Sequence, residues 1–319
     1  MPSTAISDIA ALSAAFEREG YLALEGYFPS ERIDRTSEAM SRVLTERPNE
    51  IVVDSCATGR RAFWSRIGES ETRHFKFNDF YLVSGPIREL ALDPGLTALM
   101  RALLGQAPVL CNSLNFEKGS SQPKHIDSLY MTPQTPHALA ATWIALEDVH
   151  PDSGPLSYFP GSHRIPLFRF RDGSHHATPE EQGAWNNYIE AQLRDRNLPE
   201  RIFLARKGDV FLWHSDLVHG GSPIKDPNRT RKSLVCHYFT EADARLFGTE
   251  LAPLNGGFWF KRLRHPVRMD PAEFGPEFPF PEETYLARYA DVAEAVRTNA
   301  CPSGRYHYET FGHREGRGV

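Results

Sequence analysis

The stretch Lys124-His125-Ile126-Asp127 sets an imidazole and a carboxylate two residues apart. In an extended strand such residues share a face, so both side chains can reach one ion. Two ligands do not close a site. The best candidate for a third is His219, in Trp213-His214-Ser215-Asp216-Leu217-Val218-His219-Gly220-Gly221. Two histidines and one carboxylate on one side of an octahedron leave three positions free, the arrangement typical of non-haem Fe(II) oxygenases. The tripeptide alone is a weak signal, because a surface His-x-Asp pair arises often by chance.

The elements that must position these residues change character along the chain. Ser7 to Arg18 is expected to form a helix, with Ile9, Leu12 and Phe16 on one stripe and Gly20 as its stop. A strand over Tyr21 to Leu24 follows, then a helix capped by Ser30 and running to about Leu44. Residues 45–75 are polar and give no assignment. Asp93-Pro94 opens a helix through Leu104, closed by Gly105. From Val109 onward short strands are expected at Val109–Lys118, Leu139–Glu147, Pro155–Phe159, Arg201–Arg206, Val210–Trp213 and Arg231–Thr240. Arg201–Arg206 and Val210–Trp213 flank Lys207-Gly208-Asp209, a hairpin signal. Short strands at roughly ten-residue spacing predict a sandwich or barrel. The fold class is therefore mainly β with flanking helices: a double-stranded β-helix (jelly roll) core buttressed by N-terminal helices.

The expected organisation is N-terminal helical support over 1–108 and a jelly-roll core over 109–243. Within the core lies an inserted lid candidate, 164–200, carrying a helix from Pro179 to about Arg196. A C-terminal extension, 244–319, carries a helix from about Glu282 to Arg297 and is expected to pack on the domain or on a second subunit. The 319 residues are 40% hydrophobic with formal net charge −5, enough for a well-buried core and unlike a general nucleic-acid binder. No apolar run reaches the length of a membrane span, and Met1-Pro2-Ser3-Thr4-Ala5 lacks the features of a secretory signal. Cys56, Cys111, Cys236 and Cys301 lie far apart with no Cys-x-x-Cys pair, which fits a reducing cytoplasm.

Four ordered blocks resemble the phytanoyl-CoA dioxygenase family of Fe(II)- and 2-oxoglutarate-dependent oxygenases, over roughly residues 10–240. They are Gly119-Ser-Ser-Gln-Pro-Lys-His-Ile-Asp127, Thr142 to Asp148 with Asp152 to His163, Gly208-Asp209 with His219-Gly220, and Arg231 to Tyr238. The resemblance implies a single oxygenase domain and makes His125, Asp127 and His219 the iron ligands. His214 is the rival to His219, but the family's ligand is the one followed by glycine. Arg231 stands where the family holds the distal carboxylate of 2-oxoglutarate, with Arg229 as the alternative. A guanidinium suits a buried dianion better than an ammonium does. Trp143 and Lys76 fall where relatives place co-substrate contacts, against the plainer readings of a core tryptophan and a solvated lysine. Some relatives carry serine two places after the distal histidine. Here that place is Gly221, so Ser222 substitutes or the hydrogen bond is absent. Asn115 could serve the other carboxylate, or be a buried amide that satisfies the sheet.

The resemblance thus implies Fe(II), with 2-oxoglutarate and O2 as co-substrates, and a product set of succinate, CO2 and an oxidised substrate. Halogenating relatives replace the carboxylate by a small residue, so Asp127 implies hydroxylation of an unactivated C–H bond, or desaturation or cyclisation. The expected substrate is a small metabolite or natural-product intermediate. Tyr130 and Met131 are candidate pocket residues, and Arg164 is a candidate contact for an anionic group. A cupin-like metal-binding module is the rival class, although cupins gather three histidines with a glutamate and need no arginine at position 231. The expected setting is cytoplasmic, with no nucleic-acid or membrane partner. The C-terminal extension offers a surface for a homo-oligomer.

Overall fold

The computed structural model describes residues 8–56, 58–68, 74–265, 280–312, 315, 317 and 318. Helix α1 (Ile9–Glu19) is capped by Asp8, whose carboxylate accepts from the Ala11 N–H, and ends on Gly20 in the left-handed region. Ser7 lies outside the described residues. Strand β1 (Tyr21–Leu24) and α2 (Ser30–Glu46) follow, with Pro29 rather than Ser30 in the cap position of α2. The stretch left unassigned from sequence holds β2 (Val52–Ser55), β3 (Arg61–Phe63) and β4 (Phe75–Asn78). Then come α3 (Gly85–Ala91) and α4 (Pro94–Leu104), where the Asp93 carboxylate accepts from the N–H groups of Gly95 and Leu96.

The strand-rich segment comprises β5 (Pro108–Phe116), β6 (Leu139–Ala145) and β7 (Leu156–Tyr158). Helix α5 (Gln182–Asp195) interrupts it before β8 (Arg201–Phe203), β9 (Val210–His214), β10 (His219–Gly221) and β11 (Ser233–Thr240). The C-terminal part holds α6 (Glu241–Arg245) and a hairpin of β12 (Glu250–Leu254) and β13 (Gly257–Lys261), absent from the sequence expectation. It ends with α7 (Glu282–Arg288), α8 (Ala290–Arg297) and α9 (Gly304–His307). The single helix expected over 282–297 is two, broken at Tyr289, whose φ and ψ of −118° and 86° are not helical.

Ten strands form one sheet in the order β1-β9-β6-β11-β5-β4-β2-β3, with β13 running parallel to β5 and β12 beyond it. Strands β10-β7-β8 form a second sheet. This corrects the expected hairpin: β8 pairs with β7, whereas β9 pairs with β1 and β6. The turn between them changes sheets. Asp209 holds it by accepting from the N–H groups of Arg206 and Gly26, and Gly208 presses against the backbone of Phe28 where a Cβ would collide.

Both faces of the large sheet are apolar, which is why its strands read as continuous rather than alternating runs. One face packs Leu110, Ile144, Leu212, Leu234 and Cys236 against Phe16, Ile33, Met40, Leu90 and Leu99 of the helices. The other packs Phe116, Trp143, Phe211 and Val235 against Leu156 and Tyr158 of the small sheet. The result is a jelly-roll core with helices buttressing its outer face. Inside the 164–200 segment, α5 buries Trp185, Ile189 and Leu193 against Ile126, Leu129 and Val218. That helix therefore supports the loop on which Asp127 stands.

Candidate metal and co-substrate site

His125 and Asp127 do not lie on a regular strand. His125 forms an isolated antiparallel bridge with His219, and Asp127 opens a 3-10 turn, Asp127–Leu129. The bridge brings the two imidazoles to a centroid separation of 4.3 Å. The Asp127 N–H donates to the Ser215 carbonyl at 2.8 Å, tying the turn to the segment that leads into His219. Asp127 Oδ1 lies 3.8 Å from His125 Nε2 and 3.6 Å from His219 Nε2. All three groups are buried, and their ligand atoms lie within 4.8 Å of one another. A divalent cation between them would draw each atom in by a small movement.

The surroundings prepare these groups as ligands. His125 Nδ1 lies 2.9 Å from the Pro123 carbonyl and His219 Nδ1 lies 2.9 Å from the Leu217 carbonyl. A carbonyl only accepts, so each Nδ1 carries the proton and each Nε2 turns its lone pair inward. Burial, with His219 alongside, pushes the His125 imidazole down to about 3, which keeps it neutral. Burial alone would raise the Asp127 carboxyl. The adjacent His219 and His237, with His125, outweigh it and hold the group below the usual carboxylate range. Its second oxygen, Oδ2, accepts from Trp213 Nε1 at 2.8 Å, which leaves Oδ1 for an ion.

Arg231 is 3% exposed, and no carboxylate pairs with it among the described residues. Its Nη1 donates to the Gly154 carbonyl at 2.9 Å, while Nε has no partner. Burial lowers its pKa to about 10. Its guanidinium carbon lies 5.7 Å from the Trp143 ring and 5.9 Å from that of Phe116. Trp143 Nε1 and Ser233 Oγ, inward-facing like Arg231, are likewise buried without partners. A buried charge without a counter-ion costs several kcal/mol even after relaxation. Arg231 Nε and Trp143 Nε1, both unpartnered donors of residues on the cavity wall, make a cradle for an anion with two or more acceptor oxygens. Those residues fit 2-oxoglutarate.

One cavity of about 1330 Å³ joins this cradle to the triad; His125, Asp127, His219, Trp143, Arg231 and Lys76 all line it. Tyr130 and Met131 line it as well. Lys76 pairs with Asp54 at 3.2 Å, as does Arg61, so it is not a solvated lysine.

Three expected contacts fall elsewhere. Asn115 stands on the opposite face of β5, opposite Leu234 and Phe77, and its Nδ2 reaches Met40 Sδ at 3.4 Å among the helices. Its neighbour Asn112 lines the cavity instead. Ser222 is not among the lining residues; its N–H donates to the Pro155 carbonyl as the chain leaves β10. A side chain at Gly221 would meet Ser120 Oγ at 2.5 Å and Ser121 N at 2.8 Å, so the serine of some relatives has no room here. Arg164 points away from the cavity and donates to the Arg18 carbonyl at the end of α1. His214 stays outside the triad, packed near Phe16 and His163, with Nδ1 accepting from the Asp216 N–H.

Sequence reasoning passed over Trp213 and His237. His237 Nε2 lies 3.6 Å from Asp127 Oδ1, and it lines the cavity. The signal was present: Arg231, Ser233, Val235 and His237 repeat at every second residue and share one strand face.

The sequence profile of the phytanoyl-CoA dioxygenase (PhyH) family matches residues 16–233. The chain belongs to the phytanoyl-CoA dioxygenase family. It is 24% identical over 241 residues to the peroxisomal phytanoyl-CoA dioxygenase of Rattus norvegicus, covering 70% of this chain and 66% of the relative. It thus spans just under two thirds of that protein's length. It is 26% identical over 260 residues to the ectoine dioxygenase of Sphingopyxis alaskensis, covering 75% of this chain and 78% of the relative. Among solved structures, the non-heme alpha ketoglutarate dependent carbocyclase SnoK from nogalamycin biosynthesis is similar in fold. Its TM-score is 0.57 at 21% identity, covering 82% of this chain and 98% of SnoK. EctD from S. alaskensis with bound Fe gives a TM-score of 0.55 at 20% identity, covering 76% and 81%. The matched segment ends before β12 and β13, so this hairpin and the helices after it lie outside the matched stretch.

Proposed function

We propose that this chain is an Fe(II)- and 2-oxoglutarate-dependent dioxygenase that hydroxylates an unactivated C–H bond of a small molecule. His125, Asp127 and His219 would hold the iron, and Arg231 with Trp143 would hold the co-substrate. When bound, the iron and 2-oxoglutarate supply a two-electron oxidation: 2-oxoglutarate, O2 and R–H become succinate, CO2 and R–OH. The protein's own part is to turn two imidazole Nε2 atoms inward, keep Asp127 ionised, neutralise one end of the dianion and exclude water.

The observation that carries this reading is the buried, uncompensated Arg231 in the same cavity as a preorganised His/Asp/His set. A metal-binding module without oxygenase activity has no use for that arginine. The cavity exceeds the roughly 300–1000 Å³ of pockets for drug-sized ligands. It therefore accommodates the co-substrate together with a substrate of substantial size. Phe239, Phe247, Phe260, Tyr130 and Met131 give it apolar walls, which suits a carbon skeleton such as a natural-product intermediate.

The test is succinate formation with Fe(II), 2-oxoglutarate and O2, followed by a substrate screen read by mass. Gain of one oxygen supports hydroxylation, and loss of two hydrogens identifies desaturation or cyclisation. Absence of both 2-oxoglutarate binding and uncoupled succinate production would sink the oxygenase reading.

A further inference from the structure

Strand β8 ends the small sheet: β7 lies on one side of it, and among the described residues no strand lies on the other. Its inner face is covered. Phe203 packs against Phe211 and Trp143, at centroid distances of 5.1 and 6.0 Å, and Ala205 is buried in the same cluster. Arg201, of the same parity, is paired in register with Tyr158. Residues of the other parity face outward. Ile202 and Leu204 are 48% and 52% exposed, and Glu200 and Arg206, also exposed, flank them in the same alternating row. No ion pair engages either charge among the described residues. An open edge that carries exposed aliphatic side chains is a template for another strand.

The order of the four outward residues identifies that strand. Two copies of Glu200-Arg-Ile-Phe-Leu-Ala-Arg206 laid antiparallel about Phe203 place Glu200 opposite Arg206 and Ile202 opposite Leu204, then the same pairs in reverse. Every charge meets its opposite, and every aliphatic side chain meets another. Neighbouring registers lose this match. With the axis at Ile202, Glu200 faces Leu204; with the axis at Leu204, Ile202 faces Arg206. An axis between residues sets the outward face of one copy beside the inward face of the other. We propose that this chain forms a twofold symmetric dimer by pairing of its β8 edges, which joins the two small sheets into one. The partner is a second copy because the strand is complementary in charge to itself. None of these four residues lines the cavity, so the inference stands apart from the oxygenase reading. The contact is short, which places the dimer among weak, reversible ones.

The test is sedimentation velocity of the full chain over a concentration series reaching about 100 micromolar, where weak interfaces are populated. Wild type should pass from monomer to dimer across the series. Glu200→Arg alone and Arg206→Glu alone each set like charges opposite one another twice per dimer. Either should weaken self-association about tenfold or more. Mixed in equal amounts, the two variants carry opposite charges at both ends of the contact and should form a heterodimer of wild-type affinity. The double variant Glu200→Arg/Arg206→Glu should dimerise as wild type does. Leu204→Lys should remove the dimer in the wild-type, mixed and double-variant samples alike. Recovery in the mixture also shows that both single variants fold, which separates a lost contact from a lost structure. A wild type that stays monomeric throughout overturns the inference. So does a dimer that survives both single reversals, which would place the contact on another surface such as the C-terminal helices. Single variants that dissociate and do not recover on mixing overturn it as well.

Discussion

His125 and His219 exchange both of their backbone hydrogen bonds, the N–H of each donating to the carbonyl of the other at 2.9 and 3.0 Å. Ninety-four residues apart in sequence, they sit directly opposite on one face, so backbone pairing alone sets the spacing of two ligands. The pairing depends on how closely residues 119–124 approach β10. A Cβ on Gly221 would lie 2.8 Å from Ser121 N, inside contact distance. Gly221→Ala should therefore displace that loop and weaken Co(II) or Fe(II) binding by at least tenfold, read by metal titration. Unchanged affinity would show that the loop yields without disturbing the ligands.

Trp213 donates to Asp127 Oδ2, the carboxylate oxygen other than the one beside His125 and His219. Such outer hydrogen bonds are typically worth 10–100-fold in metal affinity. Trp213→Phe keeps most of the packing with Phe211 and His219 and deletes only the indole N–H. Metal affinity should fall by roughly that factor, with far-UV circular dichroism unchanged. A loss of fold without a loss of affinity in the folded fraction would assign Trp213 to packing alone.

Arg231 makes a prediction of opposite signs. Removing a buried cation that lacks a counter-ion relieves a desolvation cost, whereas removing a ligand contact abolishes binding. Arg231→Met should melt at the same temperature as wild type or higher in the absence of 2-oxoglutarate. Wild type should gain thermal stability on adding 2-oxoglutarate with a divalent metal, as linkage requires, and the variant should not. A variant that melts lower and still responds to 2-oxoglutarate would place the dianion elsewhere.

The parity of β5 explains both what sequence could tell and what it could not. Spacing picked out the His-x-Asp pair and offered His219 as a third ligand, while the family resemblance chose the glycine-flanked His219 over His214 and singled out Arg231. Asn115 could not be told from Asn112 by the same means, since the residues of Val109–Phe116 are buried on both faces or nearly so. With no polar side to mark the outside, alternation carries no sign, and register with β11 decides which amide meets the site. The three short strands of residues 52–78 escaped for another reason: only β4 reaches β5, by a long-range pairing, with β2 and β3 added outside it, and three or four residues leave too little pattern. The same amide now yields a test. Asn115→Leu should leave 2-oxoglutarate affinity unchanged and stability equal or higher, because its Oδ1 is buried without a partner.

Asp54 gives the acid dependence of stability. It pairs with Arg61 and Lys76, and although burial opposes ionisation these two cations hold its carboxyl at about 2 rather than 3.8. A carboxyl depressed on folding stabilises the native state fully above its unfolded value, near pH 4. That contribution is lost as pH falls through the folded value near 2. The difference corresponds to roughly 2 kcal/mol, since each pH unit is worth about 1.4. Chemical denaturation of wild type between pH 5 and pH 2 should therefore show a steeper loss of stability than that of Asp54→Asn. At pH 6 the variant should be the less stable of the two, because Arg61 and Lys76 then face each other without a carboxylate between them. Parallel stability curves for the two proteins across that range would show that Asp54 titrates alike in the folded and unfolded chain.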